Sequence, residues 1–257
     1  MKPYYESEYG KLYFGDCLEI MPSLQEKVEL VLTDPPYGTT QCKWDSVIPF
    51  DKMWGQLKRV IKPNGAIVMT AAQPFTTTLI ASNMKMFKYC WVWDKKLPRG
   101  HLNAKRQPLR RFEDVAVFYG KQTTYNPQKT TGHKRKVART VYEKSGDGSQ
   151  VYGAERRDTF YDSTERYPTG IIEISNADQR GKTHPTQKPV ALMEYLIKTY
   201  TNEGETVLDF TMGSGTTAVA AVNTGRKFIG IEKEEKYCEI AKQRIIEAEE
   251  KMKEFEI

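Results

Sequence analysis

The stretch Val28-Glu29-Leu30-Val31-Leu32-Thr33-Asp34-Pro35-Pro36-Tyr37 decides how this chain is read. Val28 to Leu32 is a short run rich in β-branched and apolar residues, the signature of a buried strand. Asp34-Pro35-Pro36 closes it, because proline fixes φ and pushes the residue before it into extended backbone. Outward from that strand, apolar runs alternate with helical patterns. Leu12-Tyr13-Phe14 reads as a short strand ending at Gly15-Asp16. Phe50 to Ile61 carries apolar residues at helical spacing. Lys62-Pro63-Asn64-Gly65 is predicted to stop that helix and turn into a strand from Ala66 to Met69. A helix is predicted from Pro74 to about Met84, then strands over Phe87 to Trp93 and Val115 to Tyr119. Regular order resumes with a helix from about Pro189 to Tyr200, a strand over Thr206 to Leu208 and a helix over Gly215 to Asn223. A strand from Phe228 to Ile231 and a long helix from about Glu234 complete the pattern. Strands alternating with helices imply an α/β fold, a mostly parallel sheet with helices on both faces.

Between these halves, Lys121 to Lys182 is polar, charged and rich in Gly, Thr and Tyr. It is too long for an ordinary loop of a compact domain, so it reads as an inserted functional region. The organisation is therefore 1–120, an insertion over 121–182, and 183–257. With 257 residues the chain is long enough for one sizeable core. No apolar run approaches the roughly 18 residues that a membrane span needs, and the N-terminus lacks a signal-peptide core. The expected location is the cytoplasm, without membrane attachment. Cys17, Cys42, Cys90 and Cys238 are scattered and read as reduced thiols. His101, His133 and His184 have no metal-ligand spacing, so no metal is expected. The net charge of +6 says little by itself, but thirteen lysines and arginines face three acids from Asp94 to Arg139. A local basic excess is what a polyanion contact surface carries.

Three constellations carry chemistry. In open α/β sheets ligands bind beyond the carboxyl ends of strands, where Asp34-Pro35-Pro36-Tyr37 falls. The Asp34 carboxylate and the Pro35 carbonyl offer two acceptors, which suit the two protons of an NH2 group. Tyr37 offers a flat face for a base. Accepting hydrogen bonds from both protons frees the lone pair of an exocyclic amine, so that it attacks a methyl sulfonium in line. The second constellation is Val207-Leu208-Asp209-Phe210-Thr211-Met212-Gly213-Ser214-Gly215-Thr216-Thr217: strand, glycine turn and helix start. Gly213 and Gly215 are read as points of close backbone approach to a ligand. Phe228 to Ile231 follows as a strand ending in Glu232, where ribose hydroxyls of a nucleoside lie. Nicotinamide binding is the competitor, but the turn is GSG rather than GxGxxG. The third is His184-Pro185-Thr186-Gln187-Lys188-Pro189 before a helix, in which Thr186 and Lys188 suit the carboxylate of an amino-acid moiety.

On these motifs and their order the chain resembles the permuted site-specific DNA methyltransferases of the β group, from Leu12 to about Arg244. DPPY comes first, the variable region next, then HPTQKP, and the glycine turn last. The resemblance implies a Rossmann-like class I methyltransferase fold, circularly permuted. Its sheet has seven strands, one of them antiparallel, and the inserted region recognises the DNA target. It implies S-adenosylmethionine as cofactor and double-stranded DNA as substrate. Asp34, Pro35, Pro36 and Tyr37 would form the catalytic motif, with Tyr37 stacked on a flipped base. Asp34, Asp209, Phe210, Gly213, Ser214, Gly215 and Thr216 would line the cofactor, and Glu232 would take its ribose hydroxyls. Asp16, with Cys17 beside it, would meet the adenine edge, and Thr186 and Lys188 the methionine part. One departure is in the cofactor turn, which in the family reads DPFxGSGTT; here Phe210 replaces the proline and Thr211 the phenylalanine.

The implied reaction is methyl transfer to N6 of adenine, with N4 of cytosine as the alternative. Aspartate before Pro-Pro-Tyr leans to adenine by resemblance, since the cytosine enzymes often carry serine. A catalytically silent DNA-binding relative is a rival from another class, and an RNA or protein methyltransferase a third. An intact DPPY with an intact GSG turn argues against the first, the basic insertion and permuted order against the second. A homodimer and a cognate restriction endonuclease stay open as partners.

Overall fold

The computed structural model describes residues 2–40, 45–140, 159–176 and 187–255. The chain divides into two compact units, Met1–Asn126 with Gly170–Ile257, and Pro127–Thr169.

In the larger unit the chain runs through β1 (Tyr5–Glu6), β2 (Gly10–Phe14), α1 (Cys17–Ile20), β3 (Val28–Thr33), α2 (Phe50–Val60), β4 (Ile61–Ala71) and α3 (Phe75–Ser82). It continues with β5 (Phe87–Arg99) and β6 (Arg110–Phe118). The smaller unit holds β7 (Lys136–Thr140) and β8 (Thr159–Ser163). Back in the larger unit follow β9 (Ile171–Glu173), α4 (Val190–Tyr200), β10 (Thr206–Asp209), α5 (Thr216–Asn223), β11 (Lys227–Glu232) and α6 (Glu235–Phe255).

The sheet order is β1-β2-β11-β10-β3-β4-β6-β5-β9. The seven inner strands are the predicted seven, and β6 alone among them is antiparallel to its neighbours β4 and β5. Two short edge strands widen the sheet to nine: β1 pairs antiparallel with β2, and β9 parallel with β5. Both were missed because two or three residues carry no readable period.

Alternate residues of each central strand face opposite layers. Leu30, Leu32, Ala66 and Val68 pack with Leu192, Leu196, Ala218, Ala241 and Ile245 of α4, α5 and α6. Val28, Val31, Ile67 and Met69 pack with Ile20, Met53, Leu57 and Leu79 of α1, α2 and α3. A sheet covered on both faces needs apolar side chains on both, which is why Leu30, Val31 and Leu32 of β3 are consecutive apolar residues, all buried. Each fully buried aliphatic side chain contributes about 1.5–3 kcal/mol. Helix α2 shows the local logic: Met53, Trp54, Leu57 and Val60 are buried, Asp51 lies in its first turn, and Lys58 and Arg59 in its last. Both charge placements suit the helix dipole.

The expected turn after α2 takes another form. Ile61 already pairs with Val28, and the next pairing is Leu30 with Ala66. Lys62 to Gly65 therefore bulge out of a strand that has begun, rather than preceding it.

Among the described residues of the smaller unit there is regular structure that its composition does not signal. β7 and β8 form an antiparallel pair from Lys136↔Ser163 to Thr140↔Thr159. Arg135 grips Asp162 through two hydrogen bonds of 2.7 and 2.6 Å, and Arg166 donates to the carbonyls of Lys134 and Ser163. Val137 and Phe160 stay exposed, so this ribbon has no alternation of buried and exposed residues to read. Residues 121–126 and 170–176, counted in the predicted insertion, pack with the larger unit.

Candidate active site

β3, β10, β11 and β2 run parallel, so their carboxyl ends come out side by side. There the larger unit opens a cleft of about 620 Å3, within the usual range for small-molecule sites. Asp16, Cys17, Asp34, Pro35, Pro36, Tyr37, Lys188, Asp209, Phe210, Gly213, Ser214, Thr216 and Glu232 all line it. Thr186, with His184 and Pro185, lies outside the described residues.

Asp34 follows directly from β3 and is half-buried. Three donors converge on its Oδ1: the Tyr37 hydroxyl at 2.7 Å, the Thr70 hydroxyl, and Lys188 Nζ at 2.9 Å. Tyr37 Oη is also 3.0 Å from Thr70 Oγ1. The Tyr37 ring stacks on Phe75, with centroids 5.1 Å apart and planes 23° from parallel. Burial, then the Asp34 charge, pushes the Tyr37 hydroxyl well above its ordinary pKa, so it stays a donor.

Lys188 is buried and bridges two acids, reaching Glu113 Oε2 at 3.2 Å besides Asp34. The Glu113 contact is an ion pair without an aligned hydrogen bond. The other oxygen of Glu113 takes Lys95 Nζ at 3.1 Å. Burial works to lower the Lys188 pKa, but Asp34 and Glu113 outweigh it and the net direction is up. Burial works to raise that of Glu113, but Lys188 and Lys95 outweigh it and the net direction is down. Lys188 and Glu113 are therefore both charged at neutral pH. Lys95 belongs to this chain of charges and not to the exposed basic surface expected from Asp94 to Arg139. Lys188, predicted at the methionine carboxylate, sits against Asp34.

The other end of the cleft is built by the glycine turn. Asp209 ends β10 and is buried. It accepts from Thr33 Oγ1 at 2.7 Å, Thr217 Oγ1 at 2.6 Å and the Thr211 N–H at 3.1 Å. The Thr211 hydroxyl stands 3.3 Å from the Asp34 carbonyl, so the turn is tied to the DPPY segment. Gly213 has φ +55°, and a Cβ there would meet nothing within 4 Å, as at a backbone that borders a cleft. Its N–H donates to Glu232 Oε2 at 2.7 Å, while Glu232 Oε1 takes the Glu234 N–H at 2.8 Å. Burial raises the pKa of Glu232. Gly215 differs from its predicted role. Its φ is +82°, but a Cβ would lie 2.9 Å from Ala241 Cβ on α6, and it does not line the cleft. This glycine lets two helices close on each other. Phe210 is fully buried, with an edge on the cleft. Ser214 Oγ and Thr216 Oγ1 both lie within 3.3 Å of Arg244 Nη1. Asp16 caps α1 by accepting from the Leu18 N–H at 2.7 Å.

A glycine turn followed by a strand-end acid is a layout that suits a nucleoside cofactor, and Asp34 stands beside it. The comparisons with known proteins agree with that layout. The family model described as DNA methylase matches residues 28–243. The chain belongs to this DNA methylase family. Among curated relatives, the type II methyltransferase M2.LlaDCHI of Lactococcus lactis subsp. cremoris is 29% identical, over 95% of this chain and 92% of its own. M2.DpnII of Streptococcus pneumoniae is 28% identical over the same shares of both chains. Among solved structures, the complex of M1.HpyAVI with SAM aligns with a TM-score of 0.65 at 26% identity, covering 92% of this chain and 98% of that one. The PvuII DNA methyltransferase, described as cytosine-N4-specific, shares the fold at a TM-score of 0.65 and 20% identity, covering 95% of this chain and 88% of its own.

Sequence reading of this DNA methylase missed Thr33, Thr70, Lys95, Glu113 and Thr211. Lys95 and Glu113 left a trace only as members of a basic stretch, and Thr211 only as a departure in the cofactor turn.

Proposed function

We propose that this DNA methylase transfers the methyl group of S-adenosylmethionine to N6 of adenine in double-stranded DNA, with the target base flipped out of the stack. The observation that carries the reading is Asp34, held beyond β3 by Tyr37 and Thr70 at the edge of a cleft that fits the cofactor. The fit rests on the open backbone at Gly213 and on two acids, Asp16 and Glu232, at neighbouring strand ends.

S-adenosylmethionine supplies an electrophilic methyl group on a sulfonium. The chain's residues do the rest by positioning and electrostatics. The Asp34 carboxylate and the Pro35 carbonyl accept hydrogen bonds from the two amino N–H groups and leave the lone pair free to take the methyl group, after which the methylated nitrogen gives up one proton. Tyr37, which lines the cleft, and its neighbours shelter the base, offsetting part of the few kcal/mol that flipping costs. Glu232 takes ribose hydroxyls with the lone pairs its backbone donors leave. Asp16 and Cys17 flank the adenine, and Phe210, Gly213, Ser214 and Thr216 form the wall; Thr186 serves the methionine end. The inserted region 121–182, of which 127–169 form the separate compact unit, supplies target recognition between the catalytic half 1–120 and the cofactor half 183–257. A site-matched endonuclease fits relatives named type II methyltransferases.

Adenine is favoured over cytosine by the aspartate that opens DPPY. Nucleoside analysis of DNA from cells expressing the protein should show N6-methyldeoxyadenosine, absent with Asp34→Ala. N4-methyldeoxycytidine in its place would assign the cytosine reaction.

A further inference from the structure

Lys95, Glu113, Lys188 and Asp34 come from β5, β6, the entry to α4 and the end of β3, yet they form one line of alternating charge. The contacts along it are 3.1, 3.2 and 2.9 Å. Lys95 and Lys188 are buried, and the Glu113 side chain is only 17% exposed. Burying four charges is costly unless each has its partners, so an alternating chain at a cleft wall calls for a task. Its last member is the acceptor of the proposed reaction.

The distribution of donors on Asp34 defines that task. The Tyr37, Thr70 and Lys188 donors all end on Oδ1, and no hydrogen bond among the described residues reaches Oδ2. A carboxylate held at one oxygen from three directions cannot rotate, and its other oxygen keeps a constant direction. We propose that Lys188, anchored by Glu113 and Lys95, is a positioning residue that locks Asp34 through Oδ1 and presents Oδ2 to the target amino group. The inference rests on the methyltransferase reading above and adds Glu113 and Lys95 to its machinery. It also moves the main work of Lys188 from cofactor binding to the target side. The ammonium lies 5.5 Å from the centroid of Tyr37 and 6.0 Å from that of Trp93. Those rings hold it laterally while the two acids hold it end to end.

Lys188→Met, Glu113→Gln and the double variant separate this role from the alternatives. S-adenosylmethionine affinity, measured by calorimetry, should stay within about 3-fold of wild type in all three. The single-turnover methylation rate at saturating cofactor should fall about 10²-fold in Lys188→Met, the scale of a small misplacement of a reacting group. Glu113→Gln should lose about 10-fold, and the double variant no more than Lys188→Met, because both act through one chain. A cofactor affinity lowered more than 10-fold in Lys188→Met, with a normal rate at saturation, would return Lys188 to the methionine carboxylate. Additive losses would show that Glu113 acts apart from Lys188. Glu113→Gln is isosteric and keeps the test alive should Lys188→Met fail to fold. Crystal structures give a readout that needs no activity: an Asp34 side chain unmoved in both variants would overturn the proposal. Wild-type protein that transfers no methyl group to DNA would instead overturn the function from which the proposal starts.

Discussion

Asp34 and Asp209 stand at the carboxyl ends of neighbouring strands, and their surroundings give them opposite characters. Asp34 has a lysine ammonium at 2.9 Å and the cleft beside it. Asp209 is buried among hydroxyls and a backbone N–H, and burial pushes its pKa up to about 6. An unfolded aspartate titrates near 3.9. Between these values the folded state holds its proton more tightly, so the stability Asp209 contributes is full below about 4 and is lost as pH rises through about 6. Asp209→Asn keeps an acceptor oxygen and cannot ionise. The stability of wild type relative to this variant should fall by about 1–3 kcal/mol from pH 4 to pH 7. Chemical denaturation of both proteins across that range checks it, and a pH-independent difference would contradict the shift. Glu232 carries a separate prediction. Glu232→Ala removes the acceptor of the Gly213 N–H and the proposed ribose contact together. S-adenosylmethionine affinity should drop at least about 10-fold, as for a charge-assisted hydrogen bond of roughly 1.5–3 kcal/mol. A calorimetric titration with unchanged affinity would move the ribose elsewhere.

Elements meet at this site through very small residues. α5 begins at Thr216, and Gly215 before it lets α6 come within contact of the turn. Gly215→Ala would add a Cβ 2.9 Å from Ala241 to a backbone at φ +82°. Overlap and left-handed strain together should cost about 2–4 kcal/mol. The Tm should fall clearly, and cofactor affinity should fall with it as the turn shifts. Gly213→Ala carries the same sense of φ but open space, so the two variants measured by thermal unfolding separate strain from overlap. Equal losses of Tm would show that overlap with α6 matters little.

At the scale of the molecule, the chain is a nine-stranded α/β unit interrupted by residues 127–169. The larger unit holds both apolar layers, every described lining residue of the cleft and all proposed catalytic groups. Replacing 127–169 by a flexible linker of about ten residues should therefore leave a cooperative fold that still binds S-adenosylmethionine. Site-specific methylation should be lost. Thermal unfolding and cofactor titration of the shortened chain test this directly. A shortened chain that methylates the same DNA site would remove target recognition from 127–169.

By itself the sequence determined the inner sheet, the helices on its faces and the two motifs at its strand ends. Apolar periodicity, proline stops and glycine turns are local signals, and β3, β10 and β11 with their turns lie each within about ten residues. Tertiary structure alone decided which distant side chains complete the site. Thr70, Lys95, Glu113 and Lys188 have no spacing in common. Thr70 and Lys188 meet Asp34, Glu113 meets Lys188, and Lys95 meets Glu113, because the order β3-β4-β6-β5 sets the strands carrying Thr70, Glu113 and Lys95 beside the end of β3, and the entry to α4 brings Lys188 to them. It also decided that Gly213 borders the cleft while Gly215 serves helix packing, since a glycine's neighbours lie outside its own turn. The β7–β8 ribbon escaped reading for a related reason. Its apolar residues are exposed, and alternation becomes legible only where one face of a strand is buried against a core.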